Sequence, residues 1–392
     1  MSEKTIKILQ LLGGGNAIGG VEKMLLNDYS YMDKNKVRFD FCFYRKSTLI
    51  ADQNVKNGLL NGSKIFDLCL FDKRNVLWGY FKSIKIVSQI IKTNNYDVVH
   101  INAGRPPLLL CGLISAKIAK IPKIIIHSHS TKGMSDRNFI EESLYQFLFA
   151  ISSSLFRRYG TILAGCSVEA GKYMFGNNIE KSSKYIPIRN AIAVEPFLFN
   201  TDVRNKVREE QGVIGDTFVI GHVGSFSQPK NHLFLIEIFY EIKKCNANCM
   251  LWMVGTGSLK ASAERKVKEL GIEKDVKFLG ERGDTNRLYQ GMDIMVFPSL
   301  WEGLSVSIVE AQAASLPVYA SSNLSPEHQL TGCVRFIPLY KGAKYWANMI
   351  LEEKNNLPPR RNTIKQITES GYNIEVEAQS LQNLYLRLAR KV

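Results

Sequence analysis

The sequence predicts an α/β protein built from two doubly wound domains, each a parallel sheet covered by helices. Three observations predict it. Short apolar runs alternate with helical patterns through the first half, the same alternation restarts after residue 190, and 392 residues exceed what one ordinary core organises.

In the first half, Ile6–Leu12 reads as a strand running into Gly13-Gly14-Gly15-Asn16-Ala17-Ile18-Gly19-Gly20, with a helical pattern from Val21. Val37–Tyr44, Lys64–Leu68, Asp97–Ile101 and Lys123–His127 read as further strands, with helices at Leu77–Thr93 and Pro107–Ala119. The second half opens with strand Thr217–Val223 and the amphipathic helix Asn231–Lys244. Strand Met250–Val254, helix Leu259–Leu270, strand Lys277–Leu279 and helix Thr285–Gln290 follow, then strand Ile294–Pro298, helix Ser305–Ala314 and strand Pro317–Ala320. Ile374–Arg390 closes the chain with a helical pattern. The join falls near Ile186–Phe197, which gives expected domains of 1–190 and 191–372 and a closing segment, 373–392. Open parallel sheets bind ligands beyond the carboxyl ends of their strands. The loops after Leu12, Val223 and Pro298 are therefore expected to converge on a cleft between the two domains.

Composition narrows the function classes. With 45% hydrophobic and 22% charged residues, the chain is neither disordered nor fibrous. Met1–Lys7 is charged and lacks a following apolar leader. The apolar run Ser143–Phe156 is shorter than the roughly 20 residues a bilayer span needs. A cytoplasmic protein is expected. Its seven cysteines are scattered without zinc-ligand spacing and read as core thiols in a reducing compartment. Net charge is +15, and residues 1–190 hold 27 Lys and Arg against 14 Asp and Glu. This basic half favours anionic partners such as phosphorylated substrates or lipid headgroups. It carries no nucleic-acid reading motif or aromatic platform, so nucleic acid is not an expected partner.

Four segments carry candidate chemistry. Gly13–Gly20 lets backbone approach a phosphate at a helix start, although its spacing matches neither a Walker loop nor a dinucleotide fingerprint. In Val223–Asn231, Lys230 stands between a strand and a helix, where it would neutralise a diphosphate or lie solvated. In Phe297–Ala311, Glu302 lies in a strand-to-helix loop, and Glu310 sits on an otherwise apolar helix, where its carboxylate needs donors such as sugar or ribose hydroxyls. The amides of Gly303, Leu304 and Ser305 are expected to be free at that helix start. His100, His127 and His129 gather at strand ends, the latter two on one face. They lack a third ligand of defined spacing, so a substrate-contacting histidine is preferred to a metal ligand. No Asp-x-Asp pair exists in the chain to hold a divalent metal on a nucleotide sugar.

Taken together and in order, these segments resemble the retaining glycosyltransferases of family 4, in the branch that builds bacterial exopolysaccharide and capsule. The matching pieces are Gly19–Glu22, Ile125–Ser130, Cys166–Gly176, Ile186–Ile192, Gly221–Asn231, Phe278–Gly280, Asp293–Pro298 and Glu302–Glu310. The resemblance implies the GT-B architecture, two facing Rossmann-like domains with a final helix crossing back to the first. The first domain would take the acceptor and the second the nucleotide-sugar donor. It implies transfer from a UDP-sugar to an acceptor hydroxyl, with retained anomeric configuration, no metal or other cofactor, and the leaving diphosphate taking the acceptor proton. Glu302 would clamp donor-sugar hydroxyls, Lys230 balance the diphosphate, and His129 lie near the reaction centre with His127 as the fallback. Gly19, Gly20, Ser225, Gly303 and Leu304 would line the donor, Glu310 hold the ribose, and Gly280, Glu281 and Arg282 meet the nucleobase. Arg189 and Asn190 are secondary candidates near the hinge.

Departures matter as well. Ser225 stands where the family usually has arginine, Ala193 where it often has aspartate, and Ser315 where glycine is common. The last two read as drift. The loss at Ser225 motivates an alternative in which the chain is a non-catalytic GT-B partner subunit. The basic first half, together with Leu144, Phe147, Leu148, Ile151 and Leu155 at helical spacing in Phe139–Tyr159, suggests docking on an anionic membrane face, with a lipid-linked saccharide as acceptor.

Overall fold

The computed structural model describes residues 4–14, 20–45, 60, 62–70, 76–102, 106–129 and 139–390, the side chains of 76–77, 139–145 and 147–148 excepted. The chain forms two compact units. Met1–Ala191 and Ile374–Val392 make the first, and Ile192–Asn373 the second.

The first unit holds a parallel sheet of β1 (Ile6–Leu12), β2 (Val37–Phe43), β3 (Ile65–Asp67), β4 (Val98–Asn102), β5 (Ile124–Ser128), β6 (Ile162–Gly165) and β7 (Tyr185–Pro187), in the order β3-β2-β1-β4-β5-β6-β7. Its strands are apolar almost throughout because both faces are covered, the normal state of a parallel sheet. Alternate residues of β1 serve the two faces: Ile8 and Leu12 join one core cluster, Leu9 and Leu11 the other. Helices α1 (Gly20–Ser30), α2 (Val76–Asn94), α3 (Pro106–Ile118), α4 (Phe139–Tyr159) and α5 (Val168–Phe175) connect the strands.

The second unit repeats the plan with β8 (Phe218–Val223), β9 (Cys249–Val254), β10 (Val276–Gly280), β11 (Ile294–Phe297), β12 (Val318–Ser321) and β13 (Val334–Ile337), ordered β10-β9-β8-β11-β12-β13 and all parallel. Around it run α6 (Thr201–Glu210), α7 (His232–Cys245), α8 (Lys260–Glu269), α9 (Thr285–Gly291), α10 (Val306–Ala313), α11 (Gly342–Lys354) and α12 (Ile364–Glu369).

The closing helix α13 (Ile374–Arg390) belongs to the first unit. Its buried Ala378, Leu381, Leu384, Tyr385 and Leu388 recur at helical spacing and enter the cluster of Ile8, Leu25 and Phe39. Burying a leucine of this kind stabilises by about 1.5–3 kcal/mol.

Two expectations change. The cysteines are not uniformly core thiols: Cys42, Cys111, Cys166 and Cys249 are buried, Cys69 and Cys245 exposed, and Cys333 half-buried. In α4, Leu144, Phe147 and Leu148 lie outside the described side chains. Leu155 packs against the core, and only Ile151 of the expected stripe is seen exposed. Among the described residues no helix is long and apolar enough to cross a membrane.

Candidate functional site

In the second unit, the loops leaving β8, β9 and β10 are stitched at their carboxyl ends. Gly224 N–H donates to Val254 O (2.9 Å), Phe226 N–H to Thr256 O (2.9 Å) and Gly255 N–H to Gly280 O (2.7 Å). A Cβ on Gly255 would stand 2.2 Å from Gly224 O, and its φ is +136°, so only glycine permits this approach. Beyond Phe226 a 3₁₀ turn, Gln228–Lys230, ends at Asn231, which takes a left-handed conformation (φ 55°) before α7 begins.

That turn is fastened to the loop after β11. Asn231 Nδ2 donates to Pro298 O (3.2 Å), and Leu300 N–H to Pro229 O (2.8 Å). The result brings Lys230 Nζ to 2.7 Å from Glu302 Oε1, with both side chains largely buried. The ammonium also lies 4.7 Å from the centre of the Phe297 ring. A Cβ at position 224 would come within 3.3 Å of the lysine's Cδ and Cε, so Gly224 clears its path. Two buried histidines stand beside it. Burial first, then the neighbouring His232, keeps His222 well below the usual histidine range, and burial followed by Lys230 pushes His232 down to about 4. Both rings are neutral at pH 7. They add no positive charge beside Lys230.

Glu310 does not wait for a ligand to supply its partner. Tyr289 Oη donates to its carboxylate at 3.0 Å from within the core. The amides at the start of α10 differ from expectation. Ser305 N–H is not free, because it donates to His328 Nε2 (3.1 Å), while Nδ1–H of that ring donates to Ser325 O (2.9 Å). Leu304 is buried in a cluster with Val309 and Ile367, and Gly303 is half-buried. His328 was invisible to sequence reasoning: it is 23 residues from Ser305, and nothing in its neighbourhood signals the contact.

On the remaining loop, Gly280 closes β10 with φ +70°, Glu281 is exposed, and Arg282 is gripped by Asp284 through Nε and Nη2, both at 2.7 Å. Asp284 thus commits the guanidinium to a local pair. Ser225 is exposed, and its Oγ is 3.1 Å from Ser227 Oγ, where the family's arginine would stand. Ser315 occupies the left-handed region (φ 52°), and its Oγ accepts from Arg361 N–H at 3.1 Å. The family's usual glycine suits that conformation.

In the first unit, Gln10, His100, Asn102 and His127 interrupt the apolar strands as buried polar side chains. The His127 and His129 rings lie 3.9 Å apart, and His129 Nε2 is 3.2 Å from Asn102 Oδ1. Burial holds His100 and His129 near 3 and keeps His127 well below the usual histidine range, so all three are neutral at pH 7. Gly19 lies outside the described residues, and Gly20 opens α1. Arg189 lines a cavity of about 350 Å³ with Asp28, Glu377, Ser380 and Arg387. Asn190 Oδ1 is buried with no hydrogen-bond partner among the described residues. Among those residues, no group of three or more His, Cys, Asp or Glu side chains is gathered to hold a metal.

Doubly wound units of this order make the GT-B fold, and on the matches that follow the chain is a glycosyltransferase. Residues 217–350, from β8 into α11, match the family model of glycosyl transferases group 1. It is 29% identical to EpsF of Bacillus subtilis (strain 168), named as a glycosyltransferase, over 98% of this chain and 97% of that one. It is 25% identical to an Escherichia coli UDP-Gal:α-D-GlcNAc-diphosphoundecaprenol α-1,3-galactosyltransferase over 62% of each chain. Among solved structures, Anabaena Alr3699/HepE in complex with UDP-glucose superposes with a TM-score of 0.67 at 19% identity, covering 98% of both chains.

Proposed function

We propose that the chain transfers a hexose or N-acetylhexosamine from a UDP-sugar to a hydroxyl of a lipid-linked saccharide in surface polysaccharide assembly, with retention and without a metal. The observation that carries this reading is the Lys230–Glu302 pair, 2.7 Å apart beyond the carboxyl ends of β8 and β11. Lys230 offers charge to the donor's diphosphate, and Glu302, with the Gly303 and Leu304 amides, takes the donor sugar. Glu310, oriented by Tyr289, takes the ribose. The Gly280–Arg282 backbone takes the base, and His129 of the first unit meets the reacting saccharide. Catalysis is then positioning plus stabilisation of the departing diphosphate, which collects the acceptor proton itself. The UDP-glucose in the HepE crystals and the donor and acceptor in the E. coli relative's name support the substrate classes.

The test is transfer by the purified chain from a panel of UDP-sugars to an undecaprenyl-diphosphate saccharide in the presence of a chelator. Product with unchanged anomeric configuration is expected, with Glu302→Gln slower by about 100-fold. Absence of nucleotide-sugar binding at millimolar concentration would refute the reading. Binding without turnover by the chain alone would instead favour the partner-subunit alternative.

A membrane role is also proposed, resting now on α2. Trp78 and Phe81 are each 68% exposed, and Lys82 and Lys85 are exposed on the same helix. These four sit at i, i+3, i+4 and i+7, an aromatic and basic stripe suited to an anionic interface. Flotation with anionic liposomes should weaken in Trp78→Ala and in high salt; equal flotation on neutral vesicles would end this idea.

A further inference from the structure

A chain of buried hydrogen bonds runs from α13 across the first sheet to His129, and its proton directions follow from one backbone group. Asn102 Nδ2 lies 3.3 Å from the His100 carbonyl oxygen, which only accepts. The amide orientation is thereby set, and Asn102 Nδ2 also donates to Gln10 Oε1 at 2.8 Å. Gln10 then presents Nε2 to Tyr385 Oη at 3.1 Å, so the phenol accepts there. The phenol's own proton points to its other partner, His100 Nδ1, at 2.7 Å. At the opposite end, Asn102 Oδ1 is an acceptor, and the His129 Nε2 that sits 3.2 Å from it carries a proton.

We infer that Tyr385, Gln10 and Asn102 are positioning residues that hold His129 as the neutral Nε2–H tautomer, making the C-terminal helix a working part of this histidine's site. The inference rests on the reading of His129 given under Proposed function. Every member except His129 is at most 1% exposed, so water does not compete for these bonds. The remaining ring nitrogen, His129 Nδ1, is shielded and has no hydrogen-bond partner among the described residues. It keeps its lone pair. The relay thus holds the ring neutral, in one tautomer and one orientation, rather than as a cation.

The experiment is a long-range proton–nitrogen correlation spectrum of the full chain labelled at histidine nitrogen, with His129→Asn to assign the ring. At pH 7 the expected His129 pattern is a bare Nδ1 and a protonated Nε2, unchanged down to about pH 5. Tyr385→Phe should turn that pattern into a tautomer mixture and lower kcat about five- to tenfold with the donor KM unchanged. Asn102→Asp should bring His129 into titration and give the rate a new pH dependence. A protonated Nδ1 in the unmutated protein overturns the inference without recourse to any variant. So does a Tyr385→Phe chain with the original pattern and kcat. If His129→Ala transfers at the full rate while the unmutated tautomer is as stated, the relay stands and His129's assigned part in transfer falls.

Discussion

Replacing Ser225 with arginine should raise activity, and the size of the gain can be worked from the loop. Ser225 is exposed two residues past the end of β8, with Ser227 Oγ 3.1 Å from its own, so a longer side chain meets no core. A guanidinium there would add a charge-assisted contact to the donor diphosphate, about 1.5–3 kcal/mol. Ordering the side chain costs about 0.5–1.5 kcal/mol. Repulsion from Lys230 is small because Glu302 already pairs with that ammonium at 2.7 Å. The net, about 1–2 kcal/mol, corresponds to roughly a 5- to 30-fold rise in kcat/KM for the UDP-sugar. Initial rates at varied donor concentration measure this, with calorimetric binding of UDP alongside. Ser225→Gln controls for bulk without charge. An unchanged rate for Ser225→Arg, or an equal gain from Ser225→Gln, would refute the electrostatic argument.

Gly224→Ala places a methyl 3.2 Å from His222 Nε2 and 3.3 Å from the Lys230 stem, so kcat/KM should fall about tenfold with little change in melting temperature; calorimetry and kinetics on one preparation check this. Gly255→Ala, at φ +136° with a clash at Gly224 O, should destabilise by about 3 kcal/mol or more in urea titration. Tyr289→Phe leaves Glu310 without its core donor and should raise donor KM severalfold while sparing kcat, measured by steady-state kinetics. Acid should weaken the first unit. His100 and His129 titrate near 3 folded and near 6.5 unfolded, so the unfolded chain gains protons first as pH falls. The stability is complete above pH 6.5 and is lost toward pH 3, about 2 kcal/mol per histidine between pH 6.5 and 5. A urea midpoint unchanged between pH 7 and 5 would contradict this. Asp28 runs the other way. Burial first, then Glu377, lifts it to about 8, so Asp28→Asn should raise the melting temperature at pH 8 more than at pH 4.

The strands most legible in sequence were those buried on both faces, such as Ile6–Leu12 and Phe218–Val223, because a largely apolar run leading into glycine has few other readings. Tyr185–Pro187 and Ile162–Gly165 are too short to show a period, and α6 hides because only Val207 of its ten residues is buried. That helix is announced instead by Asn200, whose side chain caps the Asp202 and Val203 amides. Lys230 and Glu302 stood out as loop residues at strand ends. Their mutual pairing did not, since it depends on Asn231 and Leu300 joining loops some seventy residues apart in sequence. The Arg282–Asp284 pair, only two residues apart, carried a local signal that the guanidinium was engaged. His328 carried none.

The assignment of Ile374–Val392 to the first unit has a consequence for biosynthesis. During synthesis, Leu25, Phe39 and Tyr29 emerge before the second unit, yet the helix that covers them emerges only after it. The continuous second unit can complete itself first, against the usual amino-to-carboxyl order of domain folding. A nonsense codon ahead of Leu381 would therefore injure the first unit more than the second.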